Sequence, residues 1–183
     1  DFLLISDNEK EKEIVKKELL KHFEIKDLGR LKHFLGMKIE CDEKTGDIKI
    51  NQKQYILDAL KRFGLEDCKT ATTPMEVKSS KIEVNEEKET MENIPYQNLI
   101  GTLMYLGVCT RPDICHTLSY LSQFNKCPTR QNWMDAKRVL RYLKGTIDYN
   151  IIYKPEDNKM TAFVDADWGG DRIDRKSYTG FVF

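Results

Sequence analysis

The spacing of apolar residues changes along this chain, and the change limits which folds it can adopt. Apolar and polar residues alternate over residues 35–41 and 48–50, with Thr45-Gly46 between the two runs. Alternation on both sides of a glycine turn predicts a β-hairpin. From Gln52 the apolar residues recur at helical intervals, and Gly64 stands where a C-terminal helix cap is expected. The two patterns together predict an α+β or α/β fold.

Three further helices are predicted after residue 94. The first extends from about Tyr96 to Thr110 and is apolar on much of its circumference, which predicts a central position. The second begins near Pro112, and the third begins at Pro128-Thr129 and ends just before Gly145. The apolar sides of the three helices carry Leu99, Ile100, Leu103, Met104, Leu106, Ile114, Leu118, Leu121, Phe124, Trp133, Ala136, Val139, Leu140 and Leu143.

The remaining segments are a linker and the two ends. Residues 76–93 are polar and acid-rich and lack regular apolar spacing, which predicts a surface linker. Residues 2–5 are predicted to form a buried strand. An amphipathic helix then extends to about Phe23, and Ser6 to Glu9 have the spacing of a capping box. Strands are predicted at 151–153, 161–164 and 177–183.

Composition excludes some classes of protein and leaves others open. The 183 residues carry 30 basic and 30 acidic side chains, so the net charge predicts neither a nucleic-acid partner nor an acidic one, and any basic surface is local. Five cysteines without CxxC spacing favour a reduced, intracellular compartment. No stretch reaches the length of a membrane span, so no membrane partner is expected.

The helix after Pro128-Thr129 carries a local concentration of basic residues. Lys137, Arg141 and Lys144 are spaced to share one face, and we expect that face to lie opposite Trp133. Such a face can follow a phosphate backbone without reading its sequence. Charge alone favours the simpler alternative, an ordinary solvated helix face.

Asp165 and Asp167 alternate in a strand-like stretch that precedes Gly169-Gly170. Alternate residues of a strand share a face, and two carboxylates on one face suit Mg²⁺ or Mn²⁺. Metal-assisted hydrolysis of nucleic acid uses such ligands. A polar turn beside two glycines is the competing interpretation, and an Asp-x-Asp pair alone does not decide between them.

Ordered motifs along nearly the whole chain resemble the Ty1/copia-type retrotransposon polyprotein. The motifs are Asp27-Leu28-Gly29-Arg30-Leu31-Lys32-His33-Phe34-Leu35-Gly36, Thr73-Pro74-Met75, residues 96–106, Cys109-Thr110-Arg111-Pro112-Asp113-Ile114, residues 136–146, Asp165-Ala166-Asp167-Trp168 and Arg175-Lys176-Ser177. The resemblance implies a partial reverse-transcriptase palm with a hairpin and a helical thumb or connection, followed by the first strands of an RNase H-like α/β domain. Its boundaries are 1–75 for the palm end and first thumb helix, 76–93 for the linker, 94–150 for the thumb and connection, and 151–183 for an incomplete RNase H-like domain.

The same resemblance implies roles for particular residues. Asp1 corresponds to the second aspartate of the polymerase Tyr-Val-Asp-Asp hairpin, a ligand of the divalent metals. Asp165 corresponds to the first catalytic acid of RNase H, and Asp167 is a second candidate ligand. Phe34, Leu35 and Gly36 resemble the hairpin that positions the primer end, where Gly36 allows a close backbone approach. A glycine that serves only hairpin packing is the alternative.

The function implied is that of part of an RNA-directed DNA polymerase with RNase H. Its expected partners are an RNA/DNA template–primer duplex and the remainder of the polyprotein, located in a cytoplasmic virus-like particle or the nucleus. Only some of the carboxylates for Mg²⁺ or Mn²⁺ are present, so the chain alone is expected to be catalytically incomplete. A stand-alone, sequence-independent nucleic-acid-binding module and a non-functional retroelement remnant are the alternatives.

Overall fold

The computed structural model describes residues 2–76, 94–155, 159–170 and 175–183, and this part of the chain has an α+β fold. Five α-helices and six strands were found, which confirms the mixed class. The helices are α1 (Glu9–His22), α2 (Lys53–Arg62), α3 (Tyr96–Cys109), α4 (Cys115–Ser122) and α5 (Arg130–Gly145), with a 3₁₀ turn at Pro112–Ile114 before α4. The strands are β1 (His33–Phe34), β2 (Met37–Cys41), β3 (Ile48–Asn51), β4 (Ile151–Tyr153), β5 (Phe163–Ala166) and β6 (Thr179–Val182).

The first four strands form a sheet in the order β1-β2-β3-β4, and β5 pairs with β6 in a separate antiparallel sheet. The predicted hairpin is present as β2 and β3. A short strand, β1, precedes it and pairs antiparallel with β2, with Phe34 opposite Met37. This additional strand makes residues Leu35 and Gly36 a two-residue turn.

The chain divides into two compact units, Asp1–Glu40 with Lys49–Ile151, and Cys41–Ile48 with Ile152–Phe183. The core of the first unit is helical: α3 packs on α4 and α5, and α2 packs on α5. The segments predicted on either side of the 76–93 linker therefore belong to one unit. Its fully buried side chains include Ile56, Leu60, Leu99, Leu103, Leu106, Ile114, Leu118, Leu121, Val139, Leu140 and Leu143.

Local sequence explains the end of α2 and the two ends of α5. The amides of Gly64 and Leu65 donate to the carbonyls of Lys61 and Leu60, and Gly64 has a φ of +64°, as the predicted glycine cap requires. Thr129 begins α5 through a reciprocal capping box with Asn132. Gly145, predicted just past α5, is its last residue instead. An added Cβ there would lie 3.2 Å from the Cβ of Thr70, so close packing explains this glycine.

The N-terminal prediction was partly wrong. Residues 2–5 form no strand and are largely exposed, because no described strand lies beside them to pair with their backbone. Helix α1 is present, but Asn8 caps it by accepting a hydrogen bond from the amide of Lys10, while Ser6 accepts from the amide of Asn8. The apolar side chains of α1 are not buried in this structure.

The second unit contains the β5–β6 hairpin, with Asp165 paired to Gly180 in its register. Strand β5 overlaps the predicted segment 161–164 and extends two residues beyond it, and β6 lies within the predicted segment 177–183. The side chains of β5 and β6 are exposed on both faces.

Candidate nucleic-acid interface

The turn between β1 and β2 has an unusual backbone. Leu35 and Gly36 both adopt positive φ values, +49° and +73°, the combination that a two-residue type I′ turn requires. Glycine adopts this conformation freely, but a leucine with a positive φ is strained. Residues in such conformations persist where their surroundings hold them and concentrate at functional sites. The strain at Leu35 therefore makes this turn a candidate functional site.

Helix α3 holds the turn through Tyr105. The hydroxyl of Tyr105 donates a hydrogen bond to the carbonyl of Leu35, and its ring lies 5.2 Å from the ring of Tyr55 in α2. Burial raises the pKa of Tyr105, so its hydroxyl stays protonated and available as a donor at neutral pH. The Leu35 side chain is 54% exposed, whereas Phe34 is partly buried. The turn thus presents an apolar side chain to solvent from an anchored backbone.

The C-terminal end of α3 is tied to the start of α2. The buried hydroxyl of Thr110 donates to the side-chain oxygen of Gln52 at 2.7 Å. Gln52 directly follows β3, so this contact and the Tyr105 contact join the β-strands to α3 at two points. Both contacts lie within the first unit.

An ion pair between a buried arginine and a partly exposed aspartate connects to the same end of α3. Arg111 is 2% exposed and binds Asp113 through two hydrogen bonds, from Nε at 3.0 Å and from Nη2 at 2.7 Å. It also donates to the carbonyl and hydroxyl of Thr146 and lies over the rings of Tyr142 and Tyr149. This arrangement connects the α3–α4 junction to the end of α5.

Tyr142 completes the arrangement by donating its hydroxyl to Asp113 at 2.8 Å. Burial raises the pKa of Asp113, but the hydrogen bonds from Arg111 and Tyr142 outweigh it and hold this pKa below its ordinary value. Burial and the Asp113 carboxylate raise the pKa of Tyr142. At neutral pH the cluster therefore contains an ionised carboxylate and a protonated phenol.

The basic residues of α5 are arranged differently from the prediction. Lys137 does not lie opposite Trp133, because its Nζ is over the Trp133 ring at 5.5 Å. The two residues are four apart and so are neighbours on a helix surface. Arg141 donates to the carbonyl of Lys69 at 2.7 Å, and Lys144 donates to that of Cys68 at 2.8 Å. Two of the three predicted phosphate-binding residues thus hold the segment that follows α2.

These contacts predict that the basic residues of α5 contribute to stability, which distinguishes a structural role from a phosphate-binding role. Replacing both Arg141 and Lys144 with alanine should lower the free energy of unfolding by about 1–3 kcal/mol, since charged donors to backbone carbonyls are lost. Urea denaturation measures this change. Lys137→Ala is the matched control and should cost about 1 kcal/mol or less. Unchanged stability with weaker, less salt-dependent DNA binding would instead support the phosphate-binding interpretation.

The two aspartates of the second unit have different environments. Asp165 lies in β5 and is exposed, and Asp167 follows the end of that strand. The Oδ1 of Asp167 accepts a hydrogen bond from the amide of Tyr178 at 2.8 Å. An added Cβ at Gly170 would clash with the Asp167 carboxylate, so this side chain packs within its own turn. Asp167 thus lies just past β5, its amide still bonded to the carbonyl of Tyr178, and the prediction that it shares a strand face with Asp165 stays a prediction.

The described residues do not form a complete divalent-metal site. Within 2–76, 94–155, 159–170 and 175–183, no three His, Cys, Asp or Glu side chains are grouped so that they could hold a metal ion. Asp1, the predicted polymerase ligand, lies outside the described residues. Asp165 and Asp167 supply at most two side chains, and one of them already accepts a backbone amide. The described residues thus supply only part of the donor set of a two-metal centre.

Sequence reasoning missed Tyr105 and the Arg111 cluster as organising contacts. Tyr105 was part of a recognised motif, but helical periodicity does not show which distant backbone atom a tyrosine hydroxyl reaches. The Arg111-Pro112-Asp113 spacing was visible, and it is the signal that could have found the ion pair. The five cysteines are free, and no helix among the described residues has the length and hydropathy needed to cross a membrane.

Comparison with known proteins supplies an independent identification. Residues 1–77 match the family described as "Reverse transcriptase (RNA-dependent DNA polymerase)". The chain is 38% identical over 174 residues to the retrovirus-related Pol polyprotein from transposon TNT 1-94 of Nicotiana tabacum, a match that covers 92% of this chain and 13% of that protein. It is 36% identical to the Pol polyprotein from transposon RE1 of Arabidopsis thaliana, with coverages of 90% and 11%.

A shorter relative matches over most of its own length. An uncharacterized mitochondrial protein of Arabidopsis thaliana is 34% identical over 166 residues, which are 90% of this chain and 67% of that protein. No solved structure matches the chain. The family match and the relatives agree with the ordered motifs. Residues 1–77 therefore belong to the reverse-transcriptase family, and the chain is homologous over most of its length to the Pol polyproteins of Ty1/copia-type retrotransposons.

Proposed function

We propose that this chain contributes template–primer positioning to a retrotransposon RNA-directed DNA polymerase, with the β1–β2 turn as the primer contact. The observation that carries the proposal is Leu35, which is held at positive φ and exposed while Tyr105 binds its carbonyl. An exposed leucine in a left-handed conformation gives no evident folding benefit, since Asn or Gly would form the turn with less strain. A contact with a ligand supplies a reason for the leucine.

We also propose domain assignments for three segments of the chain. In this proposal residues 1–75 are the end of the palm and the first thumb helix, 94–150 are the thumb and connection, and 151–183 begin an RNase H-like domain. The mixed α+β architecture supports the first two, and the β5–β6 hairpin that carries Asp165 supports the third. The partners are an RNA/DNA duplex and other parts of the polyprotein, in a virus-like particle or nucleus.

Catalysis belongs to the complete polyprotein in this proposal. Mg²⁺ or Mn²⁺ would supply the activation of the attacking group and the stabilisation of the leaving oxygen when bound. Asp1, Asp165 and Asp167 would each contribute a carboxylate oxygen, with further ligands from elsewhere in the polyprotein. The role proposed for the described residues of this chain is to position nucleic acid.

The test compares two exposed leucines that each precede a glycine of positive φ. Leu35→Asn should weaken binding to a fluorescent RNA/DNA template–primer about tenfold, because an apolar contact is lost while asparagine tolerates the turn. Leu28→Asn is the matched control, since Leu28 is 83% exposed and precedes Gly29, whose φ is +73°. Fluorescence anisotropy at fixed salt measures both affinities.

Tyr105→Phe tests the anchor separately. Removal of the hydroxyl frees the Leu35 carbonyl, and template–primer affinity should fall although every apolar contact is kept. The proposal is wrong if Leu35→Asn and Leu28→Asn bind the template–primer as tightly as the unaltered chain does.

A further inference from the structure

An open groove lies between α2 and the first half of α3, and neither the turn contact nor the Asp165 region uses it. Both helices pack on α5, and the groove between them has a volume of about 470 Å³. This is within the roughly 300–1,000 Å³ range of small-molecule sites. Its lining residues are Tyr55, Arg62, Phe63, Pro95, Gln97, Asn98, Gly101 and Thr102.

The lining combines the chemical groups that recognise an unpaired nucleotide. Tyr55 and Phe63 offer aromatic rings, and both are only partly buried. Asn98 offers an exposed side-chain amide without a hydrogen-bond partner among the described residues. Aromatic rings stack on the faces of splayed-out bases, and amides bind their edges. In a paired duplex the base faces are covered, so this lining suits a single strand better than a double helix.

Arg62 and Gly101 make the groove accessible to a charged strand. The Arg62 side chain is exposed and makes no hydrogen bond or ion pair with another described residue, so no described group competes with a phosphate for its guanidinium. An added Cβ at Gly101 would meet no atom within 4 Å, so this glycine leaves the middle of the groove empty. The opposite side is fixed, because Gln97 donates to the carbonyl of Asn125 and Phe63 packs edge-on against Trp133.

We propose that the α2–α3 groove binds one unpaired nucleotide of a nucleic-acid strand, with its base stacked on one of the aromatic rings of the lining, Tyr55 or Phe63, and its phosphate on Arg62. This inference rests on the proposed function, because it assumes that the chain binds nucleic acid. It adds the expectation that the chain prefers a duplex with an unpaired overhang to a blunt duplex. Tyr55 also lies beside the turn, since an added Cβ at Gly36 would be 3.9 Å from its Cδ2. A duplex end held at the turn would therefore have its unpaired neighbour close to the groove.

The experiment measures the affinity of the full chain for three DNAs: a blunt duplex, the same duplex with a short overhang, and one whose overhang lacks bases. The base-bearing overhang should bind about tenfold more tightly than the blunt duplex, the effect expected from stacking one base. The abasic overhang carries the same charge and should show little of this gain. Equal gains from both overhangs would overturn the proposal, since the base would then not be recognised.

Variants locate the effect. Gly101→Met fills the groove without backbone strain, because methionine is a good helix former and the site is open; it should abolish the overhang preference and leave blunt-duplex affinity unchanged. Gly101→Ala is the small control and should keep the preference. Arg62→Gln should reduce overhang binding, whereas Lys61→Ala, an exposed cation on the same helix that does not line the groove, should not.

The outcomes separate this inference from the proposed function. If the overhang preference persists in Gly101→Met, the groove proposal is wrong although template–primer binding stands. If neither these DNAs nor the RNA/DNA template–primer bind at low salt, the proposed function and this inference fail together. A free nucleoside monophosphate, added at the DNA concentration, should not displace the overhang; displacement would make this a free-nucleotide site and overturn the strand proposal.

Discussion

Replacement of Arg111 with alanine should lower the free energy of unfolding by about 2–4 kcal/mol, because a buried guanidinium loses its charge-assisted hydrogen bonds while the Asp113 carboxylate stays partly exposed to water. Arg111 is 2% exposed and donates to Asp113 and Thr146, so its loss removes the cationic partner of the Asp113 carboxylate, which keeps the Tyr142 hydroxyl, and a donor to the Thr146 carbonyl. The two cation–π contacts with Tyr142 and Tyr149 disappear as well. Urea denaturation followed by circular dichroism measures the change.

Two further variants show whether the ion pair is the cause. Arg111→Lys retains the charge but cannot form both hydrogen bonds to Asp113, so its loss should be intermediate. Arg111→Met combined with Asp113→Leu removes both charges and should recover much of the stability that Arg111→Ala loses, because no carboxylate remains unpaired. A loss below about 1 kcal/mol for Arg111→Ala would show that the ion pair does not stabilise the α3–α4 junction.

Replacement of Leu103 with alanine should cost about 2–5 kcal/mol, because Leu103 is 0% exposed and α3 contacts both α4 and α5. The loss combines the transfer of the deleted methyl groups with the cavity they leave. Met104→Ala is the matched control on the same helix: Met104 is 41% exposed, and its truncation should cost about 1 kcal/mol or less. Equal losses for the two variants would mean that α3 is not the centre of the core.

The helical part of the fold was predictable because its signals are local. The apolar spacing of α3 and α5 predicted the buried faces, and Gly64 predicted the C-terminal cap, since a left-handed residue must be tolerated there. The prediction failed where the answer depended on a distant partner. Residues 2–5 have the composition of a strand, but a strand requires hydrogen bonds from another strand, and composition does not supply one.

In the candidate site, too, local sequence selected the residues, while their contacts depend on distant parts of the chain. Phe34, Leu35 and Gly36 were selected from their motif, yet the strain at Leu35 and its bond to Tyr105 appear only in the folded chain. The basic residues of α5 were expected to face nucleic acid because their spacing places them together. Spacing along one helix does not show that carbonyls of residues 66–69 lie within reach, and those carbonyls bind Arg141 and Lys144.

The sequence by itself determined the α+β class, the positions of the helices and the family, because periodicity, caps and motifs are properties of neighbouring residues. The tertiary structure decided which side chains serve packing and which remain available. Tyr105 and Arg111 are engaged by partners that are distant in sequence, whereas the Arg62 side chain is exposed and contacts no charged or polar group of another described residue, and the space beside Gly101 is open. The physical reason is that hydrogen-bond donors bind whichever acceptor folding brings within about 3 Å, and that proximity is not encoded in the spacing of one helix.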